Sequence, residues 1–425
     1  MIATICISFG LLLILGFPIA VILGITTTLS LVFFSNTPLH IITQQLFNAL
    51  DKFILLAIPF FILAGSIMTR GGISKRLIAF VNALVGWFPG GLAMAGILAC
   101  IFFAAISGSS PATVVAIGSI MIPALIKAGY GKKFSLGLIT VSGSLGIVIP
   151  PSIPMILYCL VMNVSVAEMF MAGILPGLLI GLALMAYTFF VAKKNNWRIE
   201  TQASLSEIIK TAKEGIWALI LPFIVLGGIY SGVFTPTEAA AVSVVYALFV
   251  EVFVYKEFTV KDITSVCRDS AVLSACLLFI LSTAMTFIWL LTAEQIPQQL
   301  AEIIIQHIHS PWMFLLTVNI LFLILGCFMD DVSAMLILAP IFLETLNRYG
   351  IDLVHFGVVM VLNIQMGMLT PPFGLNLFVS SGITGEPLIK IAKGVLPFLA
   401  IMLLCLLIVT YIPWISLVLP NIFLH

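Results

Sequence analysis

Two short stretches, Gly146-Ile-Val-Ile-Pro150-Pro151-Ser152 and Gly367-Met-Leu-Thr370-Pro371-Pro372-Phe373, share the pattern G-x-x-x-P-P and lie inside apolar runs. Paired prolines remove two amide donors and disrupt a helix, freeing carbonyls of residues such as Gly146 and Ile149, or Gly367 and Thr370. Sodium takes several hard oxygens, and discontinuous helices supply them in ion-coupled carriers. Ser107 and the Thr370 hydroxyl add side-chain oxygens to the two sets. A second chemistry follows from the helices that restart at such breaks. Half-helices beginning at Pro111 and after Asp331 aim the positive ends of their dipoles inward, which favours an anion. The broken segments contain no Arg or Lys, so an anion there is held by dipoles, amides and hydroxyls, or by cotransported sodium. Ser109, Ser110, Thr113, Ser152 and Asn376 are the donors expected to line a substrate cavity, each able to serve a carboxylate without burying a further charge. This fits a carboxylate without choosing which.

Other reactive side chains read as structural or stay open. Asp330 and Asp331 are adjacent carboxylates in an apolar run; they suit either capping of a half-helix from Val332 or coupling-ion and proton chemistry. Thr235-Pro236-Thr237-Glu238 is a capping box with Pro at the first helical position. Glu251, followed by Lys256, is expected at the membrane interface. His307 and His309 are expected in an outer loop, residues 292 to 310, after Glu294 and Glu302, without enough ligands for a metal. Asn363, Gln365 and Asn376 flank the second break and suit either substrate binding or hydrogen bonds between helices. The seven cysteines are scattered with no CxxC spacing, which argues against a disulfide framework or metal site. An intramembrane enzyme would need a His or a paired acid and base at depth. His40, His307, His309 and His425 are placed in loops or at the terminus, His355 at a helix start, and no Ser or His adjoins Asp330-Asp331, so neither catalysis nor a cofactor is expected.

The elements that must position these groups follow from composition. Of 425 residues, 62% are apolar and 8% charged, with a net charge of +1; soluble domains carry about 25% charged residues. Mean hydropathy is +1.25. This excludes soluble enzymes, disordered chains and nucleic-acid binders and leaves an all-α polytopic membrane protein. The apolar start lacks a basic n-region and a small-residue cleavage site, so residues 2 to 34 read as a membrane segment, either one tilted helix or two short ones. Continuous spans are expected at 53 to 69, 169 to 192, 215 to 233, 237 to 255, 270 to 291 and 395 to 419. Four runs are interrupted: 88 to 126 at Ser107 to Pro111, 134 to 163 at Gly146 to Pro154, 311 to 347 at Asp330 and Asp331, and 354 to 384 at Gly367 to Gly374. Irregular backbone at membrane depth is tolerated only where protein buries it or it lines a cavity. Residues 41 to 53 and 73 to 87 are amphipathic and suit helices lying along the interface.

If 88 to 126 and 311 to 347 are re-entrant hairpins and the other two broken runs cross, every Lys and Arg except Lys52 and Arg348 falls on one side, which is therefore cytoplasmic. The two hairpin mouths then face opposite sides. A shared motif in opposite orientation describes an inverted repeat, the first half being 1–205 (hairpin 88–126, broken helix 134–163) and the second 206–425 (hairpin 311–347, broken helix 354–384). Scaffold and moving part each draw on both halves.

Five stretches carry a family resemblance: Ile58-Pro-Phe-Phe-Ile-Leu-Ala-Gly65, Ile106-Ser-Gly-Ser-Ser-Pro-Ala-Thr113, Gly146-Ile-Val-Ile-Pro-Pro-Ser-Ile153, Gly227-Gly-Ile-Tyr-Ser-Gly-Val-Phe-Thr-Pro-Thr-Glu-Ala-Ala240 and Gly326-Cys-Phe-Met-Asp330. Together they resemble the large, DctM-like M subunit of TRAP (tripartite ATP-independent periplasmic) transporters over essentially the whole chain. The resemblance implies a sodium-coupled importer of the ion transporter superfamily, working by an elevator movement in the bacterial inner membrane. It also implies one sodium site of Ser107, Gly146, Ile149 and Pro151 and another of Gly326, Gly367, Thr370 and Phe373, largely through backbone carbonyls. Many relatives carry Ser where this chain has Ala104, which removes one side-chain oxygen from the first site. A small four-helix membrane subunit (Q type) and a soluble periplasmic substrate-binding protein (P type) are implied as separate chains. A stand-alone carrier or antiporter of the same superfamily is the competing reading.

Overall fold

The computed structural model describes residues 2–34, 37–197, 203–371 and 374–424. The described residues form helices and no strand. In chain order these are α1 (Ile2–Ile14), α2 (Ile19–Phe34), α3 (His40–Leu50), α4 (Ala57–Arg70), α5 (Ile73–Val85), α6 (Gly91–Ser107), α7 (Ser110–Lys127), α8 (Lys132–Gly143), α9 (Ile153–Met162) and α10 (Val166–Asn195). Then follow α11 (Leu205–Tyr230), α12 (Pro236–Phe249), α13 (Val260–Ala293), α14 (Ile296–His307), α15 (Pro311–Gly326), α16 (Asp331–Tyr349), α17 (Leu353–Gly367), α18 (Leu375–Thr384), α19 (Leu388–Tyr411) and α20 (Trp414–Phe423). Among the described residues, seven helices are long and apolar enough to cross a bilayer, or eight spans if α14 and α15, bent by 119°, count as one.

Helix starts follow local capping chemistry. Ser152, Ser165, Ser204, Thr235, Thr259, Asp330 and Asp352 each accept the amide three residues on, which satisfies a donor that the helix leaves free. Thr235 with Glu238, and Thr259 with Asp262, complete reciprocal capping boxes. All four anticipated breaks are present, between α6 and α7, α8 and α9, α15 and α16, and α17 and α18.

Of the two readings left open for residues 2 to 34, two short helices are present, α1 and α2, because Gly16 (φ 75°) and Pro18 stop the first. Other expectations need correction. Helices α11 and α13 start ten residues before the expected apolar spans, their polar first turns being capped and helical. The run 395 to 419 is split at Ile412 and Pro413. The stretch 292 to 310 is mostly α14, with Pro297 in its first turn; His307 closes that helix, its Nδ1 2.8 Å from the Ile303 carbonyl. Glu251 is enclosed by protein rather than exposed at a surface. It is fully buried on a π-turn that continues α12 (Val250–Val254) and accepts the amides of Gly72 (2.9 Å) and Ile73 (3.0 Å) at the start of α5.

Packing divides the helices into two groups. In one, α13 lies against α2, α3 and α4, α12 against α4 and α11, and α11 against α5. The other contains the broken segments with α10, α19 and α20. Within it α7 packs on α18 while α16 packs on α9, and the two groups meet where α4 abuts α7, α5 packs on α6 and α13 abuts α16. Helices α8 and α19 cross in backbone contact, since a Cβ on Gly137 would lie 2.0 Å from the Gly394 carbonyl oxygen. Hydrogen bonds join the halves from Asn376 to Ser110 (2.6 Å), between Thr140 and Ser380 (2.7 Å), and from the Tyr158 hydroxyl to the Leu353 carbonyl (2.6 Å).

Candidate functional site

The first break is assembled backbone against backbone. Gly108 ends α6 with φ 60°, and a Cβ there would lie 2.9 Å from the Pro151 carbonyl oxygen. The left-handed turn and the close approach both call for glycine. The Gly108 carbonyl accepts the Ile153 amide (3.3 Å). A Cβ on Gly146 would lie 2.5 Å from the Ser109 carbonyl oxygen and 2.6 Å from the Thr113 hydroxyl. Ser107 Oγ sits 3.0 Å from Thr113 Oγ1. The structure thus brings Ser107, Gly146 and Pro151 together at one hairpin tip, with Ile149 buried on the intervening turn. Among the described residues, nothing donates to the carbonyls of Ile149 and Pro151, which leaves hard oxygens available in a buried setting.

The second break repeats the arrangement. A Cβ on Gly367 would fall 2.3 Å from the Gly326 carbonyl carbon and 2.6 Å from its oxygen, so the ends of α15 and α17 touch through backbone alone. The Thr370 hydroxyl donates to the Met366 carbonyl (2.9 Å), and its amide donates to that of Gly367 (2.9 Å). Gly326, Gly367 and Thr370 therefore lie in one neighbourhood; Phe373, the fourth residue of that expected set, lies outside the described residues. Asp330 caps α16 by accepting the Ser333 amide (3.0 Å).

All four breaks meet at a cavity of about 600 Å³. Its wall includes Ser109, Pro111 and Ala112 at the start of α7, Ile153 and Pro154 at the start of α9, Asp330 to Val332 at the start of α16, and Leu375 at the start of α18. Four helix N-termini, each carrying roughly half a positive charge, converge on one space. The opposite wall is α4 (Ile62, Ser66, Thr69, Arg70) and α13 (Val266, Asp269, Leu273, Cys276).

Of the five expected substrate ligands, Ser109 lies in this wall. Ser110, Thr113, Ser152 and Asn376 are fully buried behind it. Ser110 accepts from Asn376, Thr113 contacts Ser107, and Ser152 donates to the Ile147 carbonyl (2.7 Å) while capping α9. Asn376 Oδ1 is buried without a partner among the described residues. Asn363 donates to Asn319 (2.7 Å), an interhelical hydrogen bond. Sequence reasoning missed Arg70 and Asp269, which pair across the wall at 2.5 Å; they are far apart in the chain, and no spacing rule connects them.

The family model for the tripartite ATP-independent periplasmic transporter, DctM component, matches residues 6–415. The C4-dicarboxylate TRAP transporter large permease protein DctM of Pseudomonas aeruginosa is 48% identical over 399 residues, covering 94% of this chain and 93% of its own. The isethionate TRAP transporter permease protein DctMQ of Oleidesulfovibrio alaskensis is 43% identical over 95% of this chain, which spans 64% of that longer protein. The YdaH transporter of Alcanivorax borkumensis, known from a crystal structure with an unusual topology, superposes with a TM-score of 0.63 at 15% identity, over 96% of this chain and 98% of its own. That likeness concerns the fold.

Proposed function

The chain belongs to the DctM component family of tripartite ATP-independent periplasmic transporters, and on that premise we propose that it is the large membrane subunit of a sodium-coupled importer of small organic acids. It is a multi-pass membrane permease. In this reading it sits in the bacterial inner membrane and works with a separate small membrane subunit and a periplasmic substrate-binding protein. The observation that carries the reading is the convergence of four helix N-termini on one cavity, an arrangement that stabilises an anion without a lysine or arginine from the broken segments. A C4-dicarboxylate and isethionate, named for two relatives, are both small organic anions and suit such a space. Sodium would sit at the flanking breaks, at Ser107, Gly146, Ile149 and Pro151 and at Gly326, Gly367, Thr370 and Phe373, where disrupted helices expose carbonyls.

The reciprocal packing of α7 on α18 and α16 on α9 supports an inverted repeat, with halves 1–205 and 206–425. The grouping of α2–α5 with α11–α13, which meets the broken segments along α4, α5 and α13, supports an elevator in which the second group slides against the first. Thr370→Val tests the sodium assignment: it removes one oxygen and keeps the shape, so the sodium concentration for half-maximal uptake in proteoliposomes rises severalfold. An unchanged sodium curve removes Thr370 from the site.

A further inference from the structure

The cavity wall contains one guanidinium, Arg70, and three carboxylates, Asp269, Asp330 and Asp331, among its described residues. Arg70 closes α4, and its guanidinium is held from α13: Nη2 pairs with Asp269 Oδ2, and Nη1 donates to Ser265 Oγ (3.0 Å). Neither partner is locked away, since the side chains of Arg70 and Asp269 are 45% and 43% exposed. Asp269 has a second cation, Arg268, whose Nε and Nη2 reach Asp269 Oδ1 at 3.3 and 3.2 Å. Asp269 can therefore release Arg70 without being left as an uncompensated charge. Arg70 cannot be replaced in kind: no other Lys or Arg lines the cavity among its described residues, and a guanidinium carries five donors, enough for a carboxylate beside Ser265.

We propose that Arg70 is an anion-binding residue of the substrate path, and that Asp269 is its built-in competitor: a substrate carboxylate displaces Asp269 from Arg70, and Asp269 takes it back when the substrate leaves. This rests on the anionic substrate proposed above. The sequence places Arg70 among the cytoplasmic cations, so the exchange occurs at the release end of the cavity. Helix N-termini hold the anion at the breaks, and Arg70 receives it at the mouth. Restoration of the internal pair then opposes rebinding.

The pair makes a prediction of opposite sign for its two members, which a purely structural ion pair does not. Cys276 lines the same cavity and is exposed, so it reports occupancy. In the full chain with Cys6, Cys267 and Cys327 replaced by alanine, succinate at saturating sodium slows modification of Cys276 by the neutral reagent N-ethylmaleimide. Asp269→Asn lowers the succinate concentration for half-protection about fivefold to tenfold. Arg70→Gln raises it about tenfold or more, the factor that one charge-assisted hydrogen bond carries, and Arg70→Lys falls between. A misfolded variant cannot gain affinity, so the Asp269→Asn result guards against loss of structure. Shifts of equal sign in Asp269→Asn and Arg70→Gln, no shift in either, or no protection of the parent chain overturn the proposal. Failure of sodium-driven uptake with the partner proteins would instead sink the importer reading, and would leave the protection data standing.

Discussion

At the scale of single residues, the groups that sequence reading placed best are those whose partners lie three positions away. Asp330 and Glu238 were legible as capping residues because a cap is written within one turn. Glu251 was not, since the amides it accepts belong to Gly72 and Ile73, far away in the chain. Its carboxylate holds the α4–α5 elbow against α12, and Glu251→Gln leaves one amide facing an NH₂ group. The expected loss is about 1.5–3 kcal/mol, the range for hydrogen bonds to a charged group, read as a lower unfolding temperature in detergent; an unchanged temperature contradicts the assignment. Glu386, between α18 and α19, ties the halves through Lys132 and also pairs with Lys390 four residues on (2.8 Å). Those two ammonium groups, Lys132 foremost, hold its carboxyl below the usual 4.5. A lowered value stabilises the folded chain above the unfolded-state value and is lost as pH falls through the folded one. The stability gap between wild type and Glu386→Gln is therefore present at neutral pH and closes as the pH falls through the lowered folded-state value; a gap independent of pH shows that the ion pairs do not matter.

At the scale of elements, breaks were easier to read than ends. Gly, Pro and Ser inside an apolar run have few explanations, so the four interruptions were visible. The first turns of α11 and α13 were not, because Glu207, Lys210, Asp262 and Arg268 end an apolar window while the helix continues under its own cap. Helix α14 was hidden for a similar reason: its apolar positions Ile296, Leu300 and Ile304 occupy one stripe among Gln, Glu and His. Close helix crossings depend on glycine in a testable way. Gly137→Ala sets a Cβ 2.0 Å from the Gly394 carbonyl oxygen, where only backbone could yield. It is expected to cost about 1–3 kcal/mol by overpacking and to lower the unfolding temperature. A Cβ added to Gly382, in helix α18, would meet nothing within 4 Å, so Gly382→Ala is neutral or slightly stabilising by helix propensity. Equal effects of the two changes would mean that the α8–α19 crossing tolerates a wider separation.

At the scale of the whole molecule, the repeated G-x-x-x-P-P motif led to the expectation of an inverted repeat, yet nothing in the sequence indicated that α7 packs on α18 and α16 on α9. That packing places four N-termini around one space. It also explains why four of the expected substrate ligands were displaced from the cavity: Ser110, Thr113, Ser152 and Asn376 hold the halves and the breaks together, and Ser109 reaches the wall. The α4 and α13 wall was illegible because it forms only when two distant, continuous helices flank the breaks. The central claim, a sodium-driven importer that needs partner subunits, is tested most directly by reconstitution. Proteoliposomes holding this chain, the small membrane subunit and the substrate-loaded binding protein should take up substrate under an inward sodium gradient, and lose uptake when either partner or sodium is omitted. Uptake at full rate by the lone chain, or equally fast in potassium-only buffer, would contradict the account.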